Sequence, residues 1–69
     1  DVLAIVHGIL QHVDVGVDWV SVTFRGGRTY TYRAIDNGQA IINEMRRKAV
    51  AGLGLSRYIL RNKAKLKFV

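Results

Sequence analysis

Two periodicities alternate along the chain. Val2, Ile5, Val6, Ile9, Leu10 and Val13 recur at helical spacing, with His7, Gln11 and His12 mostly off the stripe. They predict a helix over about 2–12, although Gly8 and the β-branched residues lower its propensity. The same stretch admits a buried strand near 9–15, because Val13, Val15 and Val17 alternate with Asp14, Gly16 and Asp18.

Residues 19–33 carry the clearest strand signal. Val20, Val22 and Phe24 alternate with Ser21, Thr23 and Arg25; beyond Gly26 and Gly27, Tyr30 and Tyr32 alternate with Thr29, Thr31 and Arg33. A two-residue turn at Gly26 and Gly27 would set Phe24 opposite Thr29 and mix the faces. A three-residue loop, Arg25 to Gly27, sets Val22 opposite Tyr30 and Val20 opposite Tyr32, gathering the apolar side chains. It needs a left-handed residue at its last position, which Gly27 supplies. Ser21, Thr23, Thr29 and Thr31 then share the other face.

The period returns to helical after the hairpin. Asp36 followed by Gln39 three residues on is a capping-box pattern, with Ile35 placed as the staple residue. Ile41, Ile42, Met45 and Ala49 form the apolar stripe, Asn43, Arg47 and Lys48 face outward, and Glu44 can pair with Lys48. Gly52 ends this helix and Gly54 loosens the joint. Ser56 is placed to cap a second helix running to about Asn62, burying Leu55 and Ile59 with Tyr58 beside them. From Lys63 to Val69 the chain alternates strictly, which reads as an edge strand with Lys63, Lys65 and Lys67 on its outer face.

These elements make a single small α+β domain over 1–69: an N-terminal helix or strand, a β-hairpin, two helices and a C-terminal edge strand. A chain of this size buries only about 60% of the surface that its unfolded form exposes, so its stability is marginal. With neither Cys nor Pro, it has no disulfide or thiolate–metal staple. Either the core is efficient or a partner contributes, a second copy of the chain included. No apolar run approaches the ~18 residues of a membrane span, and the first thirteen residues lack a signal peptide's basic n-region. Cytoplasm is the default compartment. A start at Asp1 rather than Met points to a boundary or processing site before it.

Charge changes the picture more than composition does. Eleven Lys and Arg oppose five Asp and Glu, for a net +6, and they are segregated. Residues 1–24 hold three acids and no Lys or Arg. All eleven basic residues lie in 25–69, and from Met45 onward eight of them face no acid. Such asymmetry is the footprint of a polyanionic partner, although a solvated basic face that keeps a small protein soluble accounts for it about equally well.

Phe24, Gly26, Gly27, Tyr30 and Tyr32, then Gly52, Ser56, Arg57, Tyr58 and Ile59 at the matching spacing, resemble the KTSC domain. This small domain is named from the C-terminal extension of some lysyl-tRNA synthetases and also stands alone in bacteria and phages. The resemblance covers roughly residues 20–62. Ser56 stands where the family tends to have Asn, Tyr58 where it tends to have His, and the Pro usual before the helix is missing. What the resemblance implies is a non-catalytic accessory domain, loosely linked to nucleic acid and to phage genomes.

The residues give little support for catalysis. A helix would set His7 and His12 about 140° apart, on different faces, and no Cys completes a metal shell. Asp14 and Asp18 read as solvated turn acids rather than a general acid–base pair. Gly52-Leu53-Gly54 lacks the third Gly and the Lys-Ser/Thr of a phosphate-binding loop, so it reads as a flexible joint. No nucleophile has an activating base, and no cofactor is implied. Tyr30 and Tyr32, interleaved with Arg28 and Arg33, could stack bases at about 1–3 kcal/mol each, but the hairpin register favours packing them in the core.

Two functions follow. In the first, the domain binds RNA or DNA through phosphate contacts from Arg46, Arg47 and Lys48 on the first helix, Arg57 and Arg61 on the second, and Lys63, Lys65 and Lys67 on the tail, with Arg47 the first choice on its helix. In the second, it is a protein-interaction module, such as a phage protein that inhibits a host enzyme or a virion component. The apolar N-terminal stripe and Trp19 would then carry the contact.

Overall fold

The computed structural model describes residues 10–69. Strands β1 (Leu10–Val15), β2 (Trp19–Phe24) and β3 (Thr29–Arg33) form an antiparallel sheet in the order β1-β2-β3. Helices α1 (Ala34–Asn37), α2 (Gln39–Ala51) and α3 (Leu55–Asn62) follow, making a small α+β fold.

Leu10 to His12, expected at the end of a helix, are strand; the rest of that expected helix lies outside the described residues. The strand reading of this stretch is the one found. A bulge at Gln11 reconciles the two periodicities: it lets Leu10 face Phe24 while Val13 faces Val22, keeping both apolar residues on one side despite their odd spacing.

The hairpin adopts the expected register, with Val20 opposite Tyr32 and Val22 opposite Tyr30. Phe24 N–H donates to Arg28 O at 2.9 Å, and Gly27 N–H to Phe24 O at 3.1 Å, which encloses the three-residue loop Arg25–Gly27. Both glycines have positive φ, +104° at Gly26 and +91° at Gly27, so the loop needs two residues without a Cβ rather than one. On the face of the sheet away from the described helices, which is helix-free among the described residues, hydroxyls pair across the strands, Ser21 with Thr31 at 3.2 Å and Thr23 with Thr29 at 3.0 Å.

The helical region departs from expectation at its start. Asp36 does not cap α2. Ala34–Asn37 forms one separate turn, closed by Gly38 N–H to Ala34 O at 2.7 Å, and Asp36 accepts from Arg33 Nε at 2.7 Å instead. Gly38, at φ +91°, redirects the chain and stands at the head of α2 with no side-chain cap. Gln39 reaches Val17 O and Asn43 Oδ1, and Ile35, the expected staple, is 86% exposed. The far end of α2 matches expectation. Gly52 is left-handed, its N–H donates to Ala49 O, and Leu53 N–H donates to Lys48 O, the two bonds of a Schellman motif. Left-handed Gly54 heads α3, two residues ahead of the expected cap, so Ser56 falls inside the first turn and caps nothing.

The helices cover one face of the sheet. Val20, Val22, Phe24 and Tyr32 pack with Ile42 and Met45 of α2, Leu55 and Ile59 of α3, and Leu66 of the tail. Phe24, Ile42, Met45 and Ile59 meet in this core as a group of almost wholly buried side chains. The tail is not the expected strand. Asn62 O accepts from both Lys65 N–H at 2.9 Å and Leu66 N–H at 3.0 Å, so the chain turns over Lys63–Lys65 before it can extend. Only its end joins the sheet, through a bridge from Phe68 to Tyr32 and paired bonds between Thr31 and Val69. Phe68 stands edge-on to Tyr30 at 4.7 Å and to Tyr32 at 6.1 Å between ring centroids.

Candidate nucleic-acid interface

The eight cations expected to supply phosphate contacts divide into two groups that differ in their surroundings. On α2, two are paired with Glu44 and the third is packed against the core. Glu44 takes Arg47 in a two-pronged pair and Lys48 Nζ at 3.3 Å. Arg47, one turn away, chiefly holds the Glu44 carboxyl below its ordinary range, and the same contact raises the Arg47 guanidinium. Lys48 Nζ also lies 5.5 Å from the centre of the Tyr58 ring. Arg46 is half-buried beside the apolar stripe, and its Nε is buried without a hydrogen-bond partner. Arg47, the first choice on this helix, is thus already paired with Glu44. Spacing showed that Lys48 could reach Glu44; it did not show that Arg47 wins the same carboxylate.

The second group is unengaged. Arg57, Arg61, Lys63, Lys65 and Lys67 are all exposed, and no acid among the described residues lies within ion-pairing distance of them. Arg57 and Arg61 are one turn apart on α3, so they project from the same side of it. The turn at Lys63–Lys65 replaces the straight row of lysines expected of a strand. It folds Lys63 and Lys65 against the C-terminal end of α3, where positive charge is favoured by the helix dipole. Lys67 lies further on, its backbone held by Asn37: Lys67 N–H donates to Asn37 Oδ1 at 2.7 Å, and Asn37 Nδ2 donates to Lys67 O at 2.8 Å.

The acids occupy other ground. Asp14 pairs with His12 at 3.0 Å on the open face of the sheet, Asp36 with Arg33 on α1, and Glu44 with the α2 cations. His7, considered with His12 as a metal pair, lies outside the described residues. Among the described residues no group of three or more His, Cys, Asp or Glu is placed to hold a metal ion.

The aromatic residues divide as the register requires. Tyr32 is buried, and burial pushes its phenol up to about 12. Tyr30 is half-buried between Phe24 and Phe68, its phenol oxygen accepting from Arg28 at 3.3 Å at the rim. Neither ring lies open for stacking. Trp19 has a different setting. It sits on the helix-free face and lines an open cleft of about 460 Å³ with Asp14, Asp18, Arg33 and Ile35 above the Ser21–Thr31 hydroxyl pair. Its indole lies against Gly16, in space that a Cβ there would occupy.

No helix among the described residues is long and apolar enough to cross a membrane. Comparison with known proteins returns no match to a family model, a curated protein or a solved structure.

Proposed function

We propose that this chain is a small non-catalytic accessory domain that binds nucleic acid through phosphate contacts, working in the cytoplasm of a bacterium or a phage-infected cell. The observation that carries the reading is the set of five exposed, unpaired cations Arg57, Arg61, Lys63, Lys65 and Lys67, in a stretch without an acid. Where this fold holds an acid near its basic residues it makes pairs, as around Glu44 and Asp36; from α3 onward it leaves the charge open. The resemblance to the KTSC domain supports the same reading. Contacts of this kind neutralise phosphates and release counterions, giving affinity that falls steeply with salt and depends weakly on sequence.

Fluorescence anisotropy with labelled single- and double-stranded oligonucleotides, over a salt series, tests this. The wild-type chain should bind at low salt. The double variant Arg57→Ala, Arg61→Ala should bind more weakly, with the slope of log affinity against log salt reduced by about two. No binding at low salt would overturn the proposal.

A second reading is favoured by the cleft beside Trp19, bordered by the exposed Ile35. A half-buried aromatic next to exposed aliphatic surface is a setting for an interface anchor. In that reading the chain is a protein-interaction module, such as an inhibitor of a host enzyme. A complex that survives high salt and is lost on Trp19→Ala would decide for it.

A further inference from the structure

The outer edge of β1 has properties that the nucleic-acid reading does not use. Among the described residues β1 is the first strand of the sheet and pairs with β2 alone. Gly16 N–H donates to Trp19 O at 2.9 Å, which turns the backbone groups of Gly16 toward β2. Antiparallel alternation then turns those of Asp14 and His12 the same way, and those of Val13 and Val15 outward. The usual protections of a free edge are scarce here. Leu10–Val15 contains no Lys, Arg or Pro, and the bulge sits at one end, at Gln11, leaving His12 to Val15 regular.

We propose that a second copy of this chain adds to this edge, β1 against β1 in antiparallel order, making a two-fold dimer with one continuous six-stranded sheet. The placing of His12 and Asp14 selects both occupant and register. A two-fold axis through Val13 sets Val13 opposite Val13, where both outward-facing peptide groups exchange hydrogen bonds. His12 of each copy then stands opposite Asp14 of the other, on the helix-free face. His12 Nε2 and Asp14 Oδ1 already meet within one strand at 3.0 Å, so the dimer sets an imidazole across from each carboxylate as well as beside it. The neighbouring registers that keep the outward groups matched are poorer. An axis through Asp14 opposes two carboxylates, and an axis through His12 opposes two imidazoles. Two carboxylates directly across an antiparallel pair destabilise it, whereas an imidazole across from a carboxylate can hydrogen-bond with it. A self-complementary patch on both partners is what a two-fold interface requires.

The register is tested on the full 69-residue chain by sedimentation equilibrium from micromolar to millimolar concentration, with two sets of variants. The wild-type mass should rise toward twice the 7.7 kDa of one chain. Asp14→Lys sets Lys against His12 and should abolish the rise with little change in melting temperature. The charge swap His12→Asp, Asp14→His should restore it. The chain has no cysteine, so single substitutions give a clean covalent readout. Val13→Cys should form a disulfide dimer under mild oxidation, because Cα atoms of a hydrogen-bonded antiparallel pair lie about 5.5 Å apart, within disulfide reach. Val15→Cys should not, because in this register Val15 faces Gln11. A monomer at every concentration overturns the proposal. So does a dimer that persists in Asp14→Lys while Val13→Cys and Val15→Cys cross-link alike, since association would then use another surface.

Discussion

Asn37 and Lys67, thirty residues apart, are joined as two strands would be. The Asn37 side-chain amide donates to Lys67 O and accepts from Lys67 N–H, matching one peptide group with its like. A third bond, from Asn37 Nδ2 to Arg33 O at 3.0 Å, fixes the amide's orientation. Asn37→Ala should therefore detach the tail and cost about 1–3 kcal/mol, from two or three lost hydrogen bonds. Thermal melting reads the cost. Faster amide exchange at Thr31 and Val69, with β1–β2 pairing unchanged, would locate it; uniform loss of protection would mean that the tail is not a separable unit.

Gly27→Val should destabilise the fold by at least ~1 kcal/mol, because φ is +91° at Gly27 and a β-branched side chain resists that region. No neighbouring atom stands near the added Cβ, so the cost is conformational rather than steric. An unchanged melting temperature would show that the loop can re-form in another geometry.

Phe24 joins hairpin to helices, with Ile42, Met45 and Ile59 in the same buried cluster. Phe24→Ala should cost about 3–5 kcal/mol, enough to unfold a domain of this size. Circular dichroism and denaturant titration check this: a cooperative, folded variant would mean that the cavity closes by rearrangement.

Gly16 makes room for Trp19. Its φ lies outside the left-handed region, so Gly16→Ala strains nothing in the backbone; the nearest atoms to the new methyl group are those of the indole. The variant should keep its sheet and shift the tryptophan emission, since Trp19 is the chain's sole tryptophan. An unaltered spectrum would mean that the indole already lies away from Gly16 in solution.

Tyr32 supplies a pH signature. Burial favours the neutral phenol and raises its pKa from 10.0 to about 12. A folded-state value above the unfolded one gives stability that is complete below pH 10 and is lost as pH climbs toward 12, roughly 2–3 kcal/mol in all. Tyr32→Phe should behave like wild type at neutral pH and lose less stability across that alkaline window. Parallel losses in the two proteins would show that another group governs the alkaline limit.

The hairpin was legible because its evidence is local. Alternation in Val20–Phe24 and Tyr30–Tyr32 leaves one register that keeps the faces apart, and Gly26 and Gly27 stand where the loop needs them. The Asp36–Gln39 spacing misled because a capping box is also local, while the carboxylate had a nearer claimant in Arg33 and the chain a pivot in Gly38. Alternation misled again in Lys63–Val69, where the end of α3 continues as a turn through Asn62 O. In the candidate interface, charge counting found all eight cations but not the division between those held by Glu44 or packed, as Arg46 is, and those left open on α3 and the tail. That division depends on which side chains the fold brings to one carboxylate, a property of three dimensions.

The bridge from Phe68 to Tyr32 has a consequence for the order of folding. Every pairing within β1-β2-β3 joins consecutive strands through a short loop, the kind of contact a chain can form within ~1–10 μs. The bonds of Val69 to Thr31 instead close a loop that takes in all three helices, and loop-closure entropy must be met before those contacts give any return. The meander can form early, and the C-terminal segment docks on its third strand only after α2 and α3 have packed. Until then the edge of β3 stands open, so this small sheet is most exposed to other chains in the interval before its own tail arrives.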